Sequence, residues 1–303
     1  MTAAEQQFLL RNQLPESYLV SAEKWFAPML AGLAQKAKRT DRQALVIGIN
    51  GSQGSGKSTL ADYLCTMLDE RHKLRCVSLS LDDFYLTRQQ RLKLATEIHP
   101  LLQTRGVPGT HDIPLALRTL HSLIEATEES SEILIPRFDK SHDERRPAAD
   151  CDSVKGPVDI ILFEGWCVGA KPQADEELQQ PVNDLEAQQD SQGIWRRYVN
   201  QALAGEYQTL FQLLDQLIML QAPSFDAVFN WRLEQEEKLI ERLGGLKESA
   251  TVHGGIMSAG QIADFIAHYQ RITEQSLREM PQRADHLFKL DNQRRIISAQ
   301  SRY

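Results

Sequence analysis

The sequence lacks any hydrophobic run long enough to cross a bilayer. None of its 303 residues falls in an apolar stretch close to the ~20 residues that a transmembrane helix needs. The first residues also lack a basic start followed by an apolar core, so no secretory signal is expected. The four cysteines show neither metal-type nor disulfide-framework spacing, which favours reduced thiols. We therefore expect a cytoplasmic protein with no membrane partner.

Positive charge is also scarce. The 41 acidic residues outnumber the 34 basic ones and the net charge is −7, which argues against nucleic acid as a partner. An acidic protein that binds a polyanion must gather positive charge locally, so its basic clusters become candidate sites. The 42% hydrophobic and 25% charged content is ordinary for a globular chain, here one α/β domain or two smaller ones.

What the sequence does contain is a phosphate-binding pattern. Residues 45–49 are apolar and predict a short buried strand, and residues 51–58 fit G-x-x-x-x-G-K-[ST]. Apolar residues then recur from Leu60 to Leu68 at the spacing of an amphipathic helix. A loop between such a strand and helix turns its backbone N–H groups and the helix dipole toward a phosphate. The predicted phosphate-binding residues are Gly51, Ser52, Gln53, Gly54, Ser55, Gly56, Lys57, Ser58 and Thr59.

Three acidic residues lie where predicted strands end or a helix begins. Asp82 follows a predicted strand at residues 74–81, and Glu164 follows an unbroken apolar run. A carboxylate at such a position points into the crevice where open α/β sheets bind ligands, although Asp also initiates turns. Beside a P-loop, Glu164 occupies the Walker-B position, which is associated with Mg²⁺. Asp112 directly precedes a predicted helix, so it is an N-cap, a substrate contact or both.

Basic residues gather in one loop and at one helix start. Residues 137–147 hold four basic groups, three acidic ones and an aromatic directly after a predicted strand at 132–136. Such a run is either a solvated loop or, in a protein that needs local positive charge, part of a substrate site. Arg232 begins a predicted helix and on its own is typical of surface charge.

The remaining segments predict the organisation of the chain. The N-terminal part holds a helical extension at 1–40 with Pro28 near a helix boundary, and a solvated linker at 36–43. The middle holds a long polar connection at 86–112, a helix at 113–124, a buried strand at 157–163 and an exposed helical insertion on the edge of the core at 171–213. The last part holds a strand at 213–220, a second strand or a helix start at 227–231, a helix at 231–245 ended by Gly244-Gly245, a flexible loop at 251–260, a helix with an apolar stripe from Ile262 to Ile272 and a last strand at 286–291.

Several of these segments together resemble a known family. They are GINGSQGSGKST, SLDDFYLT, RGVPGTHD, IPRFDKSHDERRP, ILFEGWCVGAKP and VFNWRLEQE. They are similar to the P-loop kinases that include uridine kinase, phosphoribulokinase and pantothenate kinase, and more so to plant-type D-glycerate 3-kinase and its bacterial and fungal relatives. The resemblance spans about residues 10–290. It implies a single α/β domain over 1–303, a three-layer sandwich with a mostly parallel central sheet, an N-terminal helical extension and a helical lid and insertion.

The resemblance also implies roles at the matching positions. Asp82 matches the catalytic base, and Arg232 looks like an arginine on a lid built from residues 166–180 and 225–260. Lys57 completes the implied catalytic set through its reach to the transferring phosphate. The implied Mg²⁺ residues are Ser58, Asp82 and Glu164. The implied acceptor-binding residues are Tyr85, Asp112, Arg137, Phe138, Arg145, Arg146 and Trp166.

The implied function is phosphorylation of D-glycerate with ATP and Mg²⁺. Its only expected partner is a small hydroxy acid or polyol. Acceptor choice depends on a few loop side chains, so pantothenate, a nucleoside or another polyol is an alternative acceptor. A nucleotide-dependent switch or regulatory ATPase is a further alternative, although the sequence has no N-K-x-D element for guanine. The sequence leaves the oligomeric state open.

Overall fold

The structure is a computed structural model that describes residues 1–38, 44–242 and 259–302. Its helices are α1 (Ala3–Asn12), α2 (Ser17–Ala37), α3 (Lys57–His72), α4 (Arg88–Glu97), α5 (Ile113–Ile124), α6 (Asp184–Gln189), α7 (Ile194–Ala204), α8 (Glu206–Phe211), α9 (Phe225–Arg242) and α10 (Ala259–Glu279). Its strands are β1 (Leu45–Gly51), β2 (Cys76–Ser80), β3 (Ile133–Ile135), β4 (Phe138–Asp139), β5 (Glu144–Arg145), β6 (Asp152–Val154), β7 (Ile160–Gly165), β8 (Gln216–Gln221), β9 (His286–Leu290) and β10 (Ile296–Ser301).

The central sheet has six strands in the order β10-β9-β8-β1-β7-β2. Neighbours from β9 to β2 run parallel, and only the edge strand β10 pairs antiparallel. Strands β3 and β6, and strands β4 and β5, form two small antiparallel pairs outside this sheet. The predicted α/β fold with a mostly parallel sheet is confirmed.

Strands β1 and β7 are buried on both faces, as their unbroken apolar sequences predict. Ile47 and Leu162 face a core formed with α1, α2, α3 and the start of α9. Val46 and Phe163 face a second core formed with α5, α7, α8 and α10. Side chains alternate across a strand, so the sheet is covered by a helical layer on each face.

The N-terminal extension packs on the P-loop helix. Phe8 of α1 lies 5.6 Å from the ring of Tyr63 on α3, and a capping box between Thr2 and Glu5 starts α1. Pro28 lies inside α2, so the prediction of a boundary there is wrong. A proline removes one helical hydrogen bond, and α2 continues past it because the residues on either side are buried in the first core.

The insertion at 171–213 is not an exposed edge, and that prediction is wrong. Its helices bury Trp195, Leu203 and Leu210 in the second core, against the face of the sheet. Two ion pairs are buried beneath it, Arg196 with Asp190 at 2.9 Å and Arg271 of α10 with Glu186 at 2.6 Å. The high Gln, Asp and Glu content therefore conceals both an apolar stripe and carboxylates that face inward.

Several smaller predictions differ from the structure. The connection at 86–112 contains α4, whose capping box of Thr87 and Gln90 is a sequence signal for a helix start. The helix predicted from 231 begins at Phe225, and β10 was not predicted. The Gly244-Gly245 helix end, most of the loop at 251–260 and most of the linker at 36–43 lie outside the described residues. No helix in the described ranges is long and apolar enough to cross a membrane.

Candidate active site

The loop between β1 and α3 has the geometry of a phosphate cradle. Gly54 and Gly56 adopt φ of 77° and 90°, a backbone region that glycine enters readily and other residues rarely do. A Cβ on Gly51 would overlap the Ser55 hydroxyl, so any larger residue there would force the Ser55 side chain to move. The loop thus delivers the chain to the N-terminus of α3 at Lys57, where unpaired helical N–H groups favour an anion.

Glu164 lies at the centre of this edge of the sheet. The register pairs it with Ile49 of β1 on one side and with Ser80 of β2 on the other. Because these strands are parallel, their carboxyl ends meet at one edge, which joins the P-loop, Glu164 and the segment after β2. The Ser58 hydroxyl donates to Glu164 Oε1 at 2.7 Å, and Lys57 Nζ lies 4.0 Å from Glu164 Oε2.

Several buried polar atoms of this cradle have no hydrogen-bond partner in the described part of the chain. They are Glu164 Oε2, Ser52 Oγ, Ser55 Oγ and Gln53 Oε1. Buried polar groups are normally satisfied, and a nucleotide with its cation would satisfy these. A nucleotide phosphate suits the hydroxyls and N–H groups, and a divalent cation suits the Ser58 hydroxyl and the Glu164 carboxylate. No group of three or more His, Cys, Asp or Glu side chains in the described ranges could hold a metal by itself, so such a cation would need phosphate oxygens as well.

Asp82 lies in a short 3₁₀ turn directly after β2, at the same edge. Its Oδ1 accepts from the Tyr85 hydroxyl at 2.8 Å, and its Oδ2 accepts from Lys140 Nζ at 2.6 Å. Burial raises the pKa of Asp82, but the charges of Lys140 and Lys57 outweigh it and leave that pKa well below the ordinary value. The carboxylate is therefore ionised, and it lies within the electrostatic reach of the P-loop lysine.

Residues 110–112 pair with residues 84–86 and form one wall of the site. Asp112 N donates to the Phe84 carbonyl at 2.7 Å, and Leu86 N donates to the Thr110 carbonyl at 2.9 Å. Asp112 both caps α5, through Leu115 N at 2.9 Å, and pairs with Arg145 at 2.9 Å. The cap and the site contact considered from the sequence are therefore compatible in one side chain.

Two predicted acceptor-binding arginines are each held at two points. Arg145 Nε donates to the Tyr85 carbonyl at 2.9 Å while its Nη2 reaches Asp112. Arg137 contacts Asp83 at 2.8 Å and Asp152 at 2.8 Å. Arg146 is exposed and lines a groove of about 540 Å³, which adjoins the site through Arg145 and does not include Asp82. Arg145 is linked to Asp82 through Tyr85, whose carbonyl accepts from the arginine and whose hydroxyl donates to the carboxylate.

Three predicted aromatic residues are largely buried. Tyr85 packs edge-on against Phe138, with ring centres 5.2 Å apart, and stacks on His111 at 4.6 Å. Trp166 is 3% exposed and donates its indole N–H to the Gly106 carbonyl at 2.9 Å. Trp166 therefore holds the 105–109 loop through its hydrogen bond to Gly106, whereas the Tyr85 hydroxyl bonds to Asp82 itself.

Arg232 lies on α9, and its positive charge opposes the rise in the pKa of Tyr269. Burial and Asp82 raise the pKa of Tyr269, and the positive charges of Arg105 and Arg232 oppose this shift. Tyr269 packs edge-on against Trp166 at 4.8 Å. Arg232 therefore acts electrostatically on Tyr269 and lies in the first part of the region predicted to form a lid.

Sequence reasoning missed four residues of this site. Lys140 pairs with Asp82, and Arg105 pairs with Asp143 and lies over the Phe138 ring. His111 is buried against Tyr207, whose hydroxyl lies 2.6 Å from His111 Nδ1. Lys140 and His111 fall inside motifs already singled out, but Tyr207 comes from the insertion and carried no sequence signal.

A P-loop, a Walker-B acid and a second-strand carboxylate at one edge of a parallel sheet define the class of P-loop phosphotransferases. Comparison with known proteins supplies the family. The chain is 34% identical over 243 residues to the uncharacterized kinase mug58 of Schizosaccharomyces pombe, covering 78% of this chain and 82% of that one. It is 32% identical over 242 residues to the chloroplastic D-glycerate 3-kinase of Arabidopsis thaliana, covering 76% of this chain and 47% of that longer protein.

A solved structure agrees with these relatives. The D-glycerate 3-kinase of Cryptococcus neoformans superposes with a TM-score of 0.73 at 25% identity, covering 91% of this chain and 97% of that one. No protein-family model matches the chain. The chain belongs to the family of P-loop kinases that contains these proteins, enzymes that transfer a phosphoryl group to an alcohol.

Proposed function

We propose that this kinase phosphorylates D-glycerate with ATP and Mg²⁺. The observation that carries the proposal is the position of Asp82, an ionised carboxylate that pairs with Lys140 and lies within electrostatic reach of Lys57. Such a site suits an acceptor that has both a hydroxyl and an anionic group. The naming of two similar proteins as D-glycerate 3-kinases supports this acceptor.

The P-loop side of the site binds and orients the phosphates. Backbone N–H groups of residues 51–59, together with Lys57, stabilise the charge that develops on the transferring group. Ser58, Glu164 and Asp82 are the residues that would hold Mg²⁺, which supplies charge neutralisation at the phosphate oxygens when bound. The unpartnered Oε2 of Glu164 fits this role.

The acceptor side orients the hydroxyl and takes its proton. Asp82 serves as the general base, a role worth roughly 10²- to 10⁴-fold in rate. Asp112 and Tyr85 position the acceptor, and Arg145, Arg146 and Arg137 contribute positive charge around it. Phe138 and Trp166 exclude water, and Arg232 with the lid region closes over the transferring phosphoryl group, which limits hydrolysis of ATP.

A coupled assay of ADP release over a panel of acceptors tests the proposal. The panel contains D-glycerate, pantothenate, uridine and glycerol, each with and without Mg²⁺. We expect the highest kcat/KM with D-glycerate and no turnover without a divalent cation. A higher kcat/KM with another acceptor would replace D-glycerate by that acceptor. ATP hydrolysis that ignores every acceptor would favour a regulatory ATPase instead.

A further inference from the structure

Lys140 forms an ion pair with Asp82, and none of the roles predicted for the site residues explains this contact. Its Nζ lies 2.6 Å from Asp82 Oδ2, yet its side chain remains 58% exposed. It belongs to the turn between β4 and β5, where Asp139 accepts hydrogen bonds from Ser141 N at 2.8 Å and pairs with His142 at 2.8 Å. The turn is therefore fixed by its own contacts, while the lysine ammonium projects from it toward the proposed base.

The neighbouring cations are held differently. Arg137 lies between two carboxylates, and Arg145 is bound by a carboxylate and a backbone carbonyl. Moving either guanidinium to a ligand would break two fixed contacts. The Lys140 ammonium has one ion-pair partner within the described ranges, Asp82. It is a hydrated charge at the end of a flexible aliphatic side chain. Exchanging that partner costs little, because partly exposed ion pairs contribute little net free energy.

We propose that Lys140 binds the carboxylate of the acceptor and thereby sets the preference for an anionic acceptor. The inference rests on the proposed function, because it requires an acceptor with a carboxylate near the reacting hydroxyl. That hydroxyl must face Asp82, so an acid group a carbon or two away falls beside the ammonium that already contacts Asp82. Lys140 then exchanges one carboxylate for another and remains paired throughout.

The exchange also releases Asp82 for proton transfer. The acceptor O–H bond breaks and its proton goes to the freed Asp82 oxygen. The acceptor oxygen forms a bond to the γ-phosphorus, and the bond from that phosphorus to the bridging oxygen breaks with its electron pair, leaving ADP. A neutral acceptor offers no anion to Lys140, so Asp82 stays paired and the reaction is slower.

The test compares D-glycerate with glycerol, which carries the hydroxyls without the carboxylate. In Lys140→Met we expect the ratio of kcat/KM for D-glycerate to that for glycerol to fall about 10- to 100-fold, as removal of a hydrogen bond to a charged group predicts. The loss should appear mainly in KM for D-glycerate, and Lys140→Arg should restore most of it. Lys93→Met is the matched control, since Lys93 is exposed on α4 and pairs only loosely with Glu97 at 3.8 Å.

The outcomes separate this inference from the proposed function. An equal fall with both acceptors in Lys140→Met would overturn it, because a lysine that only supports the loop or the base would affect both alike. If the wild-type chain prefers a different acid, D-glycerate is wrong, and the comparison is made with that acid and its amide. A preferred acceptor without a carboxylate would overturn the inference itself. If Lys140→Met does not fold, 3-hydroxypropionate must still inhibit the wild-type chain more strongly than its amide does.

Discussion

At the scale of single residues, Asp82 must be ionised, close to the phosphate and accessible to the acceptor. The structure supports the first, because the charges of Lys140 and Lys57 lower the pKa of Asp82 and the Tyr85 hydroxyl donates to its carboxylate. The same contacts keep its pKa low, which weakens it as a base until a partner leaves. Under the proposed exchange of Lys140, the acceptor frees the base as well as supplying the hydroxyl.

Asp82→Asn should retain ATP binding and lose turnover. The amide keeps the size of the side chain but cannot accept the proton, so we expect phosphorylation to fall by at least about 100-fold. Titration with a fluorescent ATP analogue and the coupled assay measure the two properties separately. Asp62→Asn, on the outer side of α3 where it pairs with Arg11, is the control. Turnover near the wild-type rate in Asp82→Asn would remove Asp82 from its role.

His111 is a residue whose burial makes the fold sensitive to acid. It is 4% exposed, and burial lowers its pKa to about 4, although Asp82 partly opposes the shift. The unfolded chain takes up a proton near pH 6.5, whereas the folded chain does not until about pH 4. The folded state therefore loses stability as the pH falls from 6.5 to 4 and loses no more from this group below that.

Urea unfolding at several pH values measures this effect. We expect His111 to account for a loss on the order of 2 kcal/mol in the free energy of unfolding between pH 6.5 and pH 4. His111→Phe should flatten the pH dependence in that window even if it lowers stability at pH 7. His121→Phe, which alters an exposed histidine on α5, should leave the slope unchanged. An unchanged slope in His111→Phe would contradict the buried neutral state.

At the scale of elements, the insertion contacts the loop that precedes Asp112, a residue proposed to bind the acceptor. The Tyr207 hydroxyl of α8 accepts from Gly109 N at 3.1 Å and contacts His111 Nδ1 at 2.6 Å. His111 in turn stacks on Tyr85, which bonds to Asp82. One hydroxyl from a segment with no motif of its own therefore holds the loop that carries Asp112.

Tyr207→Phe should weaken acceptor binding more than ATP binding. Two hydrogen bonds to the 109–111 loop are lost, so we expect the free energy of unfolding to fall by about 1–3 kcal/mol. The KM for the acceptor should rise several-fold while the KM for ATP changes little. The control is Tyr198→Phe, in the same insertion. The Tyr198 hydroxyl makes no hydrogen bond with any described residue of the 109–111 loop, so both KM values should stay unchanged. Equal increases in the two KM values would show that the insertion has no selective link to the acceptor side.

At the scale of the whole molecule, a buried ion pair connects the insertion to α10. Arg271 donates to both oxygens of Glu186, at 2.8 and 2.6 Å, and both side chains are buried. Burying two charges is costly, and the pair is maintained because each partner is satisfied. The pair holds α6 against α10 and so keeps the insertion on the face of the sheet.

Removing one partner of this pair should destabilise the fold more than removing both. Arg271→Met leaves a buried carboxylate unpaired, and we expect the free energy of unfolding to fall by about 3–5 kcal/mol. The double variant Arg271→Met with Glu186→Leu should be more stable than Arg271→Met alone. Arg278→Met breaks an exposed pair on the same helix and should cost no more than about 0.5 kcal/mol. Urea unfolding measures all three, and a double variant that is the least stable would contradict the role of the unpaired charge.

Part of the site could be predicted from sequence because its signals are local. The P-loop and Asp82 directly follow strands, Glu164 lies near the end of one, and parallel strands bring their carboxyl ends to one edge. Lys140 and Tyr207 could not be assigned in this way. Each contacts a residue more than 50 positions away in the chain, Lys140 with Asp82 and Tyr207 with His111. Whether two such residues meet depends on how the loops cross the sheet.

The P-loop pattern, the mostly parallel sheet and the family could all be recognised from the amino-acid sequence alone. Glycine conformations, apolar strands and helix spacing are enforced by short-range sterics and by burial, so they can be seen without coordinates. Only the tertiary structure decided which cations face Asp82, which arginines are already engaged, and that the polar insertion lies on the core. These contacts form between distant segments, where ion pairing and packing depend on geometry that no local pattern encodes.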